Sequence, residues 1–274
     1  VAYFQAVVLG IVQGLTEFLP VSSSAHLILA RALLGWDAAG LGLAFDVACH
    51  VGTLGAVVAY FRADLVALAA AVPGLLRRPL RPAGAAGRRL QLIAAGTVPV
   101  VIVGVLFADA VEETLRTPWV TVVTLVAVAI LFLVVERAAR ATRGEDAVTP
   151  AAALAIGVAQ AAALVPGVSR SGATITTGMF LGIRREAAAR FSFLLGVPAI
   201  LAAAAHEGLP LLATGVGREQ AWLFLIGSVV SGLVGYVTIK YFLRYLVSHT
   251  LAPFAWYRIA LAAVTAGWLL SGRS

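Results

Sequence analysis

Six stretches of about 20 mostly apolar residues run through this chain, at roughly 41–60, 90–108, 118–135, 191–206, 220–239 and 254–271. A helix of that length and composition crosses the hydrocarbon core of a bilayer. The fourth stretch is short, and the pattern allows it to extend through Leu209 to Leu212. Charged residues make up only 12% of the sequence and hydrophobic residues 61%, whereas a soluble domain carries about 25% charge. A soluble globular protein is excluded. The 20 Lys and Arg exceed the 13 Asp and Glu to give +7, but so apolar a chain leaves no solvated basic surface for a nucleic acid, and the excess is expected to serve a membrane. The single cysteine, Cys49, excludes an intrachain disulfide framework and a multi-cysteine metal site and reads as a small buried residue. No positive segment precedes the first apolar stretch, so the opening is expected to belong to the fold and not to a cleavable signal.

Two further apolar segments, roughly 3–34 and 150–182, are interrupted by Leu19-Pro20-Val21-Ser22-Ser23-Ser24 and by Pro166-Gly167-Val168-Ser169-Arg170-Ser171-Gly172. Irregular backbone at membrane depth survives only where protein or a wet cavity surrounds it. Each segment is therefore expected to be a re-entrant helix-loop-helix hairpin. The two are also copies: at an offset of 147, Gly10, Gln13, Val21, Ser22 and Ser24 match Gly157, Gln160, Val168, Ser169 and Ser171. At an offset of 131, Gly96-Thr97 matches Gly227-Ser228 and Gly104 matches Gly235. One hairpin and three spans per unit turn the second copy upside down. The expectation is an all-α integral membrane protein, a single membrane domain over 1–274 in which six transmembrane helices and two re-entrant hairpins form an inverted repeat, with units of about 1–140 and 150–274. Such repeats handle ions and anionic groups at their broken helices.

With hairpins that do not cross, fifteen Lys and Arg fall on one side, among them Arg62, Arg77, Arg78, Arg81, Arg88, Arg89, Arg190 and Arg258; Arg31, Arg116, Arg218 and Arg273 fall on the other, and Arg170 lies inside the second hairpin. The first side is expected to be cytoplasmic, with both termini outward. Arg77 to Arg89, with Pro79 and Pro82, reads as a cytoplasmic linker near anionic headgroups. The tryptophans read as interfacial anchors.

Ionisable groups inside a membrane are expensive and mark function by default. Gln13 and Glu17 share a helix face, and the returning arm of the hairpin can bring His26 toward Glu17. The second hairpin offers Arg170 between Ser169 and Ser171, with Thr174 one turn on if a helix starts near Gly172. Gly167 and Gly172 let backbone N–H groups approach a ligand, a helix N-terminus adds partial positive charge, and a guanidinium binds two oxygens at once, which suits phosphate. His50, one turn after Asp46, reads as a helix–helix hydrogen bond, and His206 and His249 as loop or interface residues. A membrane carrier built on the same pocket is the alternative to an enzyme. The phosphatidic-acid-type lipid phosphatases are disfavoured, because Ala173 follows Ser171-Gly172 where that superfamily has His.

Gln13-Gly-Leu-Thr-Glu17-Phe-Leu-Pro-Val-Ser-Ser-Ser-Ala-His26 and Pro166-Gly-Val-Ser-Arg-Ser-Gly-Ala-Thr174 resemble the two signature motifs of the undecaprenyl-diphosphate phosphatase family, the bacitracin-resistance type. The resemblance covers the whole chain. It implies an integral enzyme of the bacterial plasma membrane that removes the terminal phosphate of the C55 isoprenoid diphosphate on the outer face and recycles the carrier for peptidoglycan synthesis. By position, Glu17 matches the second motif acid, Gln13 the first in amide form, Ser23 the serine proposed as nucleophile, and His26 the motif histidine. Ser169, Arg170 and Thr174 match the phosphate-binding loop, which with Ser22, Ser24, Gly167, Ser171 and Gly172 forms the expected phosphate site. Ser24 and Ala25 stand where Thr and Gly are common. Either His26 or Glu17 could take the Ser23 proton; direct attack by His26 or by a metal-bound water stays open. A divalent cation, Mg2+ or Ca2+, held by Glu17 with Gln13 and the substrate phosphates, is expected. The expected partners are the polyprenyl diphosphate lipid and the bilayer, with a homodimer left open and no nucleic acid.

Overall fold

A computed structural model describes residues 1–36, 41–77, 79 and 84–272, without the side chains of 108, 109, 112, 207 and 209–214. The described residues form eleven α-helices: α1 Ala2–Thr16, α2 Ser23–Leu34, α3 Leu43–Tyr60, α4 Arg62–Arg77, α5 Gly84–Leu115, α6 Pro118–Ala138, α7 Pro150–Ala162, α8 Arg170–Phe180, α9 Arg185–Thr214, α10 Arg218–Ser248 and α11 Ala252–Leu270. Among these residues the only β pairing is an isolated bridge between Arg143 and Ile183. Thr117 and Thr149 cap α6 and α7 by accepting from Val120 N and Ala152 N, each followed by proline at the first helical turn. That proline has no N–H to leave unsatisfied and is preset for the helix.

Six helices are long and apolar enough to span a bilayer: Leu43–Tyr60, Gly84–Phe107, Pro118–Ala138, Arg185–His206, Arg218–Ser248 and Ala252–Leu270. They fall on the six stretches read from the sequence, and the two interrupted segments are indeed broken into α1/α2 and α7/α8. The outer surface leaves Val105 80%, Leu233 68% and Val123 64% exposed. An apolar exterior of this kind is stable only against hydrocarbon.

Three expectations need correction. Arg62–Arg77, unassigned from sequence, is the helix α4. Asp64 on α4 pairs with Arg89 at 2.8 Å and Arg190 at 3.1 Å, and Glu145 meets Arg89 at 3.0 Å, so ion pairs fasten the helix beside α5 and α9. The linker of Arg77 to Arg89 is accordingly shorter, since α5 already begins at Gly84; Arg78, Arg81 and Pro82 lie outside the described residues, as does Arg273. Arg258 does not reach a membrane face either. It is 0% exposed, because five main-chain carbonyls solvate its guanidinium in the interior.

The repeat accounts for α4 as well. The matching offset falls from 147 at the hairpins to 131 at the last two spans, a difference of 16, which is the length of α4. At the larger offset α7 follows α1 and α8 follows α2; at the smaller, α10 follows α5 and α11 follows α6. The helix α1 packs on α10, and α7 packs on α5. Gly10 on α1 lies against Gly227 on α10, where an added Cβ would come within 3.1 Å of the Gly227 carbonyl; Gly157 on α7 lies still closer to the carbonyl of Gly96 on α5. Small residues let helix backbones approach where no hydrophobic effect drives them together. Gly52 of α3 meets Ser228 and Ser231 of α10 in the same way, with Ser231 Oγ donating to the Cys49 carbonyl at 2.8 Å. Cys49 itself is buried among Leu9, Leu41 and Phe45.

Candidate active site

The two chain breaks are built alike. After α1 ends, Ser22 takes φ 74°, and its Oγ accepts from Ala25 N at 3.4 Å, so α2 starts at Ser23. After α7, Ser169 takes φ 73°, and its Oγ accepts from Gly172 N at 3.1 Å, so α8 starts at Arg170. Positive φ is uncommon for a residue with a side chain, and the cap hydrogen bond helps to hold it. Neighbouring hydroxyls pair identically, Ser22 with Ser24 at 3.2 Å and Ser169 with Ser171 at 3.3 Å. The buried Arg258 joins the breaks, donating to Pro20 O at 3.3 Å on one side and Gly167 O at 2.7 Å on the other. Ser171 Oγ adds a donor bond to Leu19 O at 3.2 Å.

This joint puts Ser23 and Arg170 around one carboxylate. Glu17 Oε2 accepts from Ser23 Oγ at 2.8 Å and Gln13 Nε2 at 3.0 Å, while Glu17 Oε1 accepts from Arg170 Nη2 at 3.1 Å. Arg170 Nη1 also donates to Ser192 O on α9 at 3.3 Å. Glu17 is buried, yet it borders a cavity of about 530 Å3 lined also by Ser22, Ser23, Ser24, Ser169 and Arg170. The α2 and α8 N-termini supply first-turn N–H groups without intrahelical partners and the positive ends of two helix dipoles. The rest of the wall is mostly apolar, from Val100, Val101 and Val105 on α5 and Ala199, Ile200, Ala202, Ala203 and Ala204 on α9. A polar floor with apolar sides suits an amphiphile whose head is an anion.

Several residues read from sequence sit elsewhere. His26 does not line this cavity: Nδ1 donates to Ser22 O at 2.7 Å, which leaves Nε2 to accept from the Tyr257 hydroxyl at 2.7 Å, and the ring stacks on Tyr257. The returning arm turns it away from Glu17. The imidazole facing Glu17 is that of His50, whose Nε2 lies 3.5 Å from Oε2 while Nδ1 donates to Asp46 O at 2.7 Å. Sequence reasoning placed His50 at a helix contact; the signal available was its i+4 spacing from Asp46, since Asp46 lines the same cavity. Because α8 starts at Arg170 and not near Gly172, Thr174 is directed inward, donating to Arg170 O at 2.7 Å and bonding the Ser192 hydroxyl. Gly167, Ser171, Gly172 and Thr174 therefore support the loop without lining the cavity. Gly167 has φ 88°, and a Cβ there would strike Thr124. Further along the wall, Asp46 is held by Arg31, and by Arg116 at 3.1 Å.

Residues 6–264 match the model of the bacitracin resistance protein BacA family. The chain belongs to the BacA family. An undecaprenyl-diphosphatase of Rubrobacter xylanophilus is 50% identical over 266 residues, covering 97% of this chain and 98% of the relative. Undecaprenyl-diphosphatases of Idiomarina loihiensis, 43% identical over 96% of this chain and 97% of the relative, and of Thioalkalivibrio sulfidiphilus, 44% over 95% and 96%, are similarly close. The six apolar helices make it a multi-pass membrane protein, and its family is bacterial.

Proposed function

We propose that this chain is an undecaprenyl-diphosphatase, a membrane hydrolase that converts the C55 isoprenoid diphosphate to the monophosphate and inorganic phosphate. The observation that carries the reading is the Ser23–Glu17–Arg170 chain of hydrogen bonds across two opposed hairpins. A hydroxyl, a base and an anion clamp meet there beside a largely apolar cavity. An arriving terminal phosphate takes Arg170 from Glu17 and sits under the N-termini of α2 and α8. Glu17 is then free to accept the Ser23 proton. Ser23 Oγ attacks the terminal phosphorus, the bond to the bridging oxygen breaks, and the lipid monophosphate leaves. Water hydrolyses the phosphoserine, releasing phosphate and restoring Ser23. Catalysis is chiefly positioning and charge stabilisation, as phosphoryl transfer requires.

His26 acts in this scheme as a positioning residue that holds the Ser22 carbonyl, and His50 stands behind Glu17. A divalent cation, Mg2+ or Ca2+, fits the donors present. Gln13 Oε1 is a buried acceptor without a partner in the protein, next to Glu17, and hard cations take one or two protein oxygens plus substrate phosphates. Among the described residues no three His, Cys, Asp or Glu gather into a fuller metal cluster. When bound, the cation would neutralise diphosphate charge. The hairpins are re-entrant in this reading, the two units inverted, and the cavity opens outward, supported by Arg116 on the cavity wall, at the face with few positive charges.

Phosphate release from undecaprenyl diphosphate by purified protein in detergent, with and without chelator and beside Arg170→Ala, tests the proposal. Release that disappears in the variant is expected. A folded protein that binds the lipid without releasing phosphate would overturn it and favour the carrier alternative. That alternative is otherwise disfavoured, since transport alone needs no serine set on a carboxylate.

A further inference from the structure

Gln13 and Gln160 occupy matching places, one turn before the two breaks and 147 residues apart. Both are buried, at 0% and 2% exposure. Gln13 has a defined task, since its Nε2 donates to Glu17. In the second unit the position matching Glu17 is Leu164, so Gln160 has no acid to serve. Both Nε2 and Oε1 of Gln160 lack a hydrogen-bond partner in the protein, although the residue lines the cavity together with Leu164, Ser169 and Arg170. An amide buried with neither group bonded is unfavourable, and Leu or Met would fill the same space without that cost.

The asymmetry divides the labour between the two copies. The first hairpin spends its glutamine on orienting the acid, whereas the second presents an amide to whatever enters. We propose that Gln160 is a substrate-binding residue: on arrival of the lipid diphosphate its side chain rotates into the cavity and Nε2 donates to phosphate oxygens beside Arg170. Oε1 then accepts from water carried in with the anion. The inference rests on the phosphatase reading and assigns that site a contact outside the signature loop. The donor is neutral, so it adds affinity without competing with Arg170 for Glu17.

Gln160→Met keeps side-chain length and removes both polar groups. The measurement is kcat/KM for undecaprenyl diphosphate, with thermal unfolding of the same samples. A hydrogen bond to a charged group implies a fall of about 10- to 100-fold in kcat/KM, with an unfolding temperature equal to or above that of the unaltered protein because the unsatisfied amide is gone. Gln160→Asn retains the amide on a shorter stem and should show the same fall, which keeps the test decisive if the Met variant does not fold. Activity within about threefold in a folded variant would overturn the inference, leaving buried water as the amide's partner. Absence of phosphate release from the unaltered protein would instead overturn the phosphatase reading.

Discussion

Gly196→Ala tests the position of Arg170 at a small cost to the stability of the fold. Gly196 lies within α9, and a Cβ built on it would stand 2.7 Å from Arg170 Cζ and 3.3 Å from Nη2, with Nη1 closer still. Non-bonded atoms settle at about 3.5–4.0 Å, so the guanidinium must retreat by about 1 Å. Its bonds to Glu17 at 3.1 Å and Ser192 O at 3.3 Å have no slack for that movement. A displaced guanidinium also loses a charge-assisted bond to the arriving phosphate, about 1.5–3 kcal/mol, and a misplacement of about 1 Å costs on the order of 100-fold in rate. The expected result is a drop of about 100-fold in kcat/KM. The obstructing group is the end of a flexible side chain, and Ala is a better helix former than Gly by about 0.8–1 kcal/mol, which offsets part of the bonding lost to Glu17 and Ser192 O, so a net loss of about 1–2 kcal/mol should lower the unfolding temperature by only a few degrees. Phosphate-release kinetics and a thermal melt on one preparation read both quantities. Combining the change with Arg170→Ala should add little further loss, because both act on one guanidinium. Activity within about threefold of the unaltered protein would refute the argument that Arg170 must hold this position.

Gly157→Ala should act in the opposite sense, since its Cβ would meet the Gly96 main chain; overpacking of about 1–3 kcal/mol should lower the melting temperature and shift activity only through the folded fraction. Arg258→Met strips the hydrogen bonds that join Pro20 to Gly167 and Val168; buried carbonyls left without a donor cost about 1–3 kcal/mol each, which should appear as protein that fails to melt cooperatively, and a near-normal melt would count against its joining role. Ser23→Ala should abolish any acid-stable phosphoprotein trapped during turnover, and full activity in this variant would remove Ser23 as nucleophile. His26→Ala should lower kcat by displacing Ser23 while leaving the acidic limb of the pH–rate profile in place; disappearance of that limb would make His26 a titrating participant instead.

The spans were readable because hydrocarbon demands long apolar windows, and the breaks because Pro20 and Pro166 sit beside serines where a helix could not continue. The matching of Ser22 with Ser169 marked the two breaks as copies, and the structure adds that each serine caps the helix after it. Other features depended on partners far along the chain. Nothing local announces that Asp64 will find Arg89 and Arg190, which is what makes a helix of 62–77 worth forming. Arg258 looks like one more flanking arginine until the carbonyls that receive it are known. His26 and His50 both lie within reach of Glu17 by chain length alone; the turn at Ser22 directs one toward Tyr257, and the packing of α3 directs the other to the acid.

The seating of α1 on α10 and of α7 on α5 sets the order in which this molecule can be completed. Gly10 finds its seat on Gly227, so α1 must wait for a groove on a helix that is synthesised long after it. Until α10 emerges, α1 and α2 carry Glu17 and the serine run without the neighbours that shelter them, in a state that long-range contacts make slow to resolve. The second hairpin escapes this delay, because α5 is already in place when α7 appears. Assembly of the active centre is thus coupled to the synthesis of α10, and a chain truncated before α10 holds every signature residue yet has no seat for the helix that carries its acid.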